Sequence, residues 1–285
     1  MSGDFLATMA AASRARSAAA QAQLPVRELR ARIAELPPAP ALKLSRFDLI
    51  AEVKLRSPAM GVLGDAASAD VGARVATYAR AGAAAVSILT EPSRFDGSLD
   101  DLAAGARALH ALEVPAMRKD FLVDEYQVLE GRAAGASGVL AILRMLPRAG
   151  LERLVDSALE LGMFVLLEAF DEPDIDLAHE LVAARRAQRE LLLVGVNSRD
   201  LATLKVVPGR LDLLADKLPA DVRRVAESGV ATAADAARMA SVGYDLALVG
   251  SALMSAPDPG ALTRAMLIEA RAVVDARAAL VAGRA

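Results

Sequence analysis

Cysteine and tryptophan are absent from the 285-residue chain, and histidine occurs twice. Without cysteine there are no disulfides, no thiolate nucleophile and no thiolate metal ligands. His110 and His179 stand far apart with no H-x-x-x-H or clustered spacing, so a histidine metal site is not expected either. Charge of one sign is also missing: the formal net charge is −3 and no basic block stands out, which argues against nucleic acid as a partner. No apolar run approaches the roughly 18 residues that a membrane span requires. The Ala-, Ser- and Arg-rich start "MSGDFLATMAAASRARSAAAQAQ" lacks a continuous apolar segment and carries Asp4. It reads as a mature N-terminal helix of a cytoplasmic protein, not as a targeting segment.

What remains is apolar. Hydrophobic residues make up 54% and charged residues 24%, a composition that supports a large buried core. Four stretches share one pattern, an Ala-rich helix, a glycine and an apolar strand: "ARAGAAAVSIL", "GRAAGASGVLAIL", "ELGMFVLLEA" and "ASVGYDLALVG". Gly82, Gly135, Gly162 and Gly243 fit the left-handed position just past a helix C-terminus. With apolar runs near 47–54, 114–118, 191–197 and 222–227 there are eight candidate strands separated by helical sequence. Strand–helix alternation repeated eight times predicts a single (β/α)₈ TIM barrel. A doubly wound sheet is the alternative, but no G-x-G-x-x-G follows the first strand. Residues 1–46 read as an N-terminal helical extension packed on the barrel, 47–285 as the barrel domain, and the C-terminal segment as its last helix.

Barrels of this kind carry their chemistry at the C-terminal ends of the strands. Those ends read Glu52 and Lys54, Thr90 and Glu91, Lys119, Arg144, Glu168, Asn197, Glu227 and Ser228, Gly250 and Ser251. Alternation puts Ile50, Glu52 and Lys54 on one face, and likewise Met117 with Lys119, Leu166 with Glu168, Val225 with Glu227. The apolar partners mark that face as the barrel interior, so the charges converge at one mouth. An internal ion-pair network is the other reading of any single such residue; six at one rim favour a site. Of 33 basic residues only five are lysines, and two of those, Lys54 and Lys119, fall at strand ends. Arginine stays protonated, whereas a buried lysine can shift its pKa and exchange a proton. "AESGVAT" and "VGSALM" follow strands seven and eight, where glycines and a helix N-terminus form the usual phosphate cradle of this architecture.

The ordered set "LIAEVKLRSP" (49–58), "SILTEPSRFDGSLDDL" (87–102), "MRKDFLVDEYQ" (117–127), "VLLEAFDE" (165–172), "VGVNSRDL" (194–201), "VAESGV" (225–230) and "LVGSALM" (248–254) resembles the indole-3-glycerol phosphate synthase family over residues 25–267. The resemblance implies ring closure, decarboxylation and dehydration of 1-(2-carboxyphenylamino)-1-deoxyribulose 5-phosphate, a small-molecule phosphosugar, in tryptophan biosynthesis. It implies no cofactor and no metal, a monomer, and docking to other enzymes of that pathway. Lys119 would be the general acid, Glu168 the base, Glu52 its support, Lys54 an anion holder and second acid, and Asn197 the residue that orients substrate and carboxylates. Ser57 and Arg199 would place the substrate carboxylate, and Glu227 and Ser228 the sugar portion. Gly229, Gly250 and Ser251 would hold phosphate, with Phe95, Phe121 and Leu140 as apolar walls. Leu55 and Ala59 depart from the small or basic residues usual in the first loop. That departure is what a paralogous phosphosugar barrel enzyme or a silent binding paralogue would have in its favour; intact Lys119 and Glu168 speak against both.

Overall fold

The computed structural model describes residues 5–58, 61–63 and 70–282. Eight parallel strands close on themselves: β1 (Asp48–Val53), β2 (Ala85–Leu89), β3 (Ala116–Lys119), β4 (Gly138–Ile142), β5 (Phe164–Ala169), β6 (Leu192–Asn197), β7 (Arg223–Glu227) and β8 (Leu246–Val249). Each strand pairs with its sequence neighbours, and β1 pairs with β8 to complete the (β/α)₈ barrel. The four glycines at the helix-to-strand turns all have positive φ, from 68° at Gly162 to 110° at Gly243. A side chain there would be strained, so these glycines end the helices where the sequence pattern places the stops.

Strand alternation builds two cores. Leu49, Ala51 and Val53 of β1, with Val165 and Leu167 of β5 and their counterparts, face outward and bury against the surrounding helices. Ile50, Met117, Leu140, Leu166, Leu193, Val225 and Leu248 face inward and fill the barrel axis. Apart from Ser87 in the middle of β2, the inward series in mid-strand is apolar or glycine, and toward the C-terminal ends Glu52, Lys119, Glu168, Asn197 and Glu227 replace it. In register, Leu89 lies beside Lys119, Ile142 beside Glu168, and Asn197 beside Glu227.

The extension forms two helices, α1 (Phe5–Gln23) and α2 (Val26–Ala34). Met9 and Ala10 of α1 bury with Phe121, Met145 and Phe170, all beyond the C-terminal ends of the barrel strands, so α1 lies across the mouth. Leu29 and Ile33 of α2 pack on Tyr126 and Leu129 in helix 125–133, and the Tyr126 hydroxyl donates to the carbonyls of Ala20 and Leu24. Helix α2 thereby anchors α1 at its C-terminal end. Among the described residues no helix is long and apolar enough to cross a membrane.

Candidate active site

A cavity of about 430 Å³ opens at the C-terminal mouth of the barrel, within the range of small-molecule sites. Of the residues that the family resemblance assigns to the site, all but Glu227 line it: Glu52, Lys54, Ser57, Phe95, Lys119, Phe121, Leu140, Glu168, Asn197, Arg199, Ser228, Gly229, Gly250 and Ser251. Of the other strand-end residues, Thr90, Glu91 and Arg144 do not. Leu55 is half-buried and is not among the residues lining the cavity, and Ala59 lies outside the described residues. Ser57 comes from a short antiparallel ribbon, Arg56–Ser57 against Gly61–Val62, which Arg56 ties to Asp96 in the loop after β2 at 2.9 Å.

Two polar groups organise the floor. In the first, Glu52 is 2% exposed and takes one lysine on each oxygen: Lys119 Nζ donates to Oε2 and Lys54 Nζ to Oε1, both at 2.8 Å. Burial pushes the Glu52 carboxyl up, but the two ammonium charges and their hydrogen bonds outweigh it and bring it down to about 2. For Lys119, burial disfavours the ammonium, yet the carboxylates of Glu52, Glu168 and Glu227 raise it above the ordinary lysine value. Burial therefore does not make Lys119 a weak cation, because opposite charges at contact distance dominate desolvation. The resting site presents a proton donor.

In the second group, Asn197 Nδ2 donates to Glu168 Oε1 at 2.9 Å, and the backbone N–H of Arg199 donates to Asn197 Oδ1 at 2.9 Å. The backbone contact fixes which end of the amide faces Glu168. Arg199 itself is tied down, its Nη1 donating to the Leu204 carbonyl at 2.7 Å.

Glu227 is the one expected substrate contact that lies elsewhere. Its carboxylate sits below the floor, and a Cβ added at Gly195 would come within 2.2 Å of its Oε1. No N–H or hydroxyl donor among the described residues reaches either oxygen, and burial, then the Glu168 charge and contact with the Glu168 carboxyl, raise its pKa well above the usual carboxylate range. Strand parity places Glu227 correctly inside the barrel, but parity carries no information on depth. The space comes from Gly195, whose missing side chain lets the carboxylate turn down.

After β7 the chain leaves through two left-handed residues, Ser228 (φ 62°) and Gly229 (φ 78°). Ser198 Oγ holds the turn by donating to the Ser228 carbonyl at 3.0 Å. Both residues line the cavity, and a turn is a place where backbone N–H groups can meet an anion. Gly250 and Ser251 face the same cavity from the short helix Ser251–Ser255 after β8.

Several lining residues had no signal at strand ends. Phe5 reaches the cavity from α1, and its ring meets Phe121 edge-on with centroids 5.7 Å apart. Leu201, Leu204 and Val206 come from the loop after β6. The loop leucines are readable only as an unusual apolar content in a loop. Phe5 sits in an Ala-rich helix with no clear apolar stripe.

The flanks of Lys119 explain the charged triplet that ends β3. Arg118 points outward, 3% exposed, and donates to Thr90 Oγ1 and to the Gln127 carbonyl. Asp120 accepts from Thr90 Oγ1 at 2.8 Å, from the Phe121 N–H and from Arg16 of α1. Alternation thus sends Lys119 into the cavity and Arg118 into a buried network behind it, which Asp120 joins from the cavity's edge.

A sequence model described as indole-3-glycerol phosphate synthase matches residues 6–266. Proteins of that name from a Nocardioides species and from Leifsonia xyli are 43% and 41% identical, over 84% and 90% of this chain and 88% and 95% of theirs. A multifunctional tryptophan biosynthesis protein of Schizosaccharomyces pombe is 41% identical over 79% of this chain and 29% of its own length. Among solved structures, a thiamine phosphate pyrophosphorylase from Pyrococcus furiosus superposes with a TM-score of 0.58 at 14% identity, covering 80% of this chain and 97% of its own, a likeness of fold alone.

Proposed function

The chain belongs to the indole-3-glycerol phosphate synthase family, and we propose that it closes the ring of 1-(2-carboxyphenylamino)-1-deoxyribulose 5-phosphate, releasing carbon dioxide and water to leave indole-3-glycerol phosphate. It is then a carboxy-lyase of the cytoplasm, a monomer that needs neither metal nor cofactor. Its catalytic domain is residues 47–285, with 1–46 as an extension. The match to part of a multifunctional tryptophan protein supports docking to other enzymes of that pathway.

The observation that carries this reading is one apolar-walled cavity in which Lys119 and Lys54 share Glu52 while Asn197 holds Glu168. Lys119 protonates the substrate carbonyl as the aromatic carbon attacks it, a step that a protonated amine at the cavity floor suits. Loss of carbon dioxide restores the aromatic ring. Glu168 then accepts the proton whose removal accompanies departure of the hydroxyl as water, with Lys54 as the second acid. Glu52 supports both lysines, and Asn197 keeps Glu168 aimed. Ser57 and Arg199 place the substrate carboxylate and Ser228 the sugar. Gly229, Gly250 and Ser251 receive the phosphate, and Phe95, Phe121 and Leu140 flank the aromatic ring. Glu227 influences the sugar end from beneath the floor.

Turnover tests the reading directly, because the product's indole fluoresces and the protein contains no tryptophan to mask it. Product formation by the wild type, reduced about 10²–10⁴-fold in Lys119→Ala, is the expected result. A folded wild type without turnover overturns the reading.

A further inference from the structure

Arg16 is the point at which the N-terminal extension grips the site. Its Nη2 donates to Asp120 Oδ1 at 2.7 Å, and its Nη1 lies 3.6 Å from Glu91 Oε1. Both carboxylate side chains are fully buried, while Arg16 keeps 30% exposure. Each carboxylate also holds a segment that carries an aromatic wall residue. Glu91 accepts from the backbone N–H groups of Ser93 and Arg94, capping the short helix Pro92–Phe95. Asp120 accepts from the N–H of Phe121.

Phe5 and Arg16 are eleven residues apart on α1, about three turns, which returns them to the same face. Phe5 and Phe95 both pack on Phe121, with centroids 5.7 and 6.3 Å away. One guanidinium therefore ties together the three segments whose rings form the aromatic wall.

We infer that Arg16 is a positioning residue: through Asp120 and Glu91 it seats α1 so that Phe5 completes the substrate cavity. It touches no substrate itself. Lys119 is held separately by Glu52, so the loss of Arg16 reaches binding of the aromatic portion before it reaches the acid. Without Arg16, Asp120 retains Arg118 at 3.4 Å, but Glu91 is left with neutral donors only among its hydrogen bonds. The extension remains attached through Met9, Ala10, Leu29 and Ile33, so the expected change is a looser seat and not release.

Two measurements test this. The first does not depend on catalysis: Phe5→Trp places a single indole in a chain that has none, and adding Arg16→Met should shift its emission to the red as water reaches it. The second rests on the synthase reading and is a double-mutant cycle in steady-state kinetics. Arg16→Met should raise KM about tenfold with kcat within about threefold, and should add less than about twofold once Phe5→Ala is present. Arg16→Lys, which keeps the charge but loses the fork, should recover part of the KM and takes over both measurements if Arg16→Met does not fold. Unchanged emission, or KM effects that multiply independently in the double variant, overturns the inference. A red shift in an enzyme that fails to turn over would instead remove the synthase reading and leave the seating role standing.

Discussion

Oε2 of Glu52 accepts a hydrogen bond from the Lys119 ammonium at 2.8 Å, and this contact sets the acid–base character of the site. Glu52 is held as an anion down to about pH 2, and its charge leads the carboxylates that raise Lys119. Glu52→Gln keeps the shape and removes the charge. Lys119 then loses its strongest partner and faces Lys54 across a neutral amide, so its pKa falls. The expected outcome is a drop in kcat of roughly 10²-fold, with the alkaline limb of the kcat–pH profile displaced to lower pH. Profiles of both proteins from about pH 6 to about pH 10 check it. The wild type, whose Lys119 stays protonated across that range, should show no alkaline limb from this group where the variant loses activity. A variant profile as flat as the wild type's would separate Lys119 from Glu52.

Glu227 makes the opposite prediction. Its folded-state pKa is raised, so between the unfolded value near 4.5 and the folded value the native chain binds more protons than the unfolded one. Stability contributed by this group is present at low pH and is lost as pH rises through that window. Glu227→Gln removes the charge that burial penalises. The variant should melt about 2–4 °C higher than wild type near pH 8 and show no gain near pH 4. Thermal melts at the two pH values decide the matter. Equal shifts at both would point to packing, and destabilisation at both to a carboxylate that a partner satisfies.

The eight strands and the inward-facing charges were legible because both depend on local rules. Period-two alternation puts Lys119 and Glu168 on the face of Met117 and Leu166, and glycines such as Gly243 mark where helices must stop. What the sequence did not carry is depth and distance. Glu227 obeys the same parity as Glu168 yet drops below the floor, because a glycine on the neighbouring strand leaves room there. Arg16 and Asp120 are 104 positions apart, and nothing local to either predicts their pairing. The direction of the Lys119 shift was equally out of reach, since burial and three neighbouring carboxylates oppose each other and only their spacing decides which wins.

Asn197 gives a prediction of orientation. Its amide nitrogen faces Glu168 because its oxygen is occupied by the Arg199 backbone N–H. Asn197→Ala removes the donor and frees the Glu168 rotamer, which should lower kcat about 10–10²-fold with a smaller change in KM. Asn197→Asp should be worse, because it sets a second carboxylate at hydrogen-bond distance from the first and the two repel unless one is protonated. Kinetics of the pair of variants near neutral pH test the ordering. An Asp variant as active as the Ala variant would mean that Glu168 is not held from this side.

Gly250 separates two uses of a glycine. Its φ of −119° is open to any residue, so backbone freedom does not demand glycine here. Space does: an added Cβ would come within 2.3 Å of Glu52 Oε1 and 3.0 Å of Lys54 Nζ. Gly250→Ala must therefore displace the carboxylate that holds both lysines. If the glycine served only the approach of a phosphate, the substitution would raise KM and leave kcat and its pH profile alone. The Glu52 contact predicts instead that kcat falls by at least about tenfold and that the alkaline limb moves in the same direction as in Glu52→Gln. Combining the two substitutions should then cost much less than the product of the single effects, because the amide of Glu52→Gln has already surrendered the interaction that the methyl disturbs.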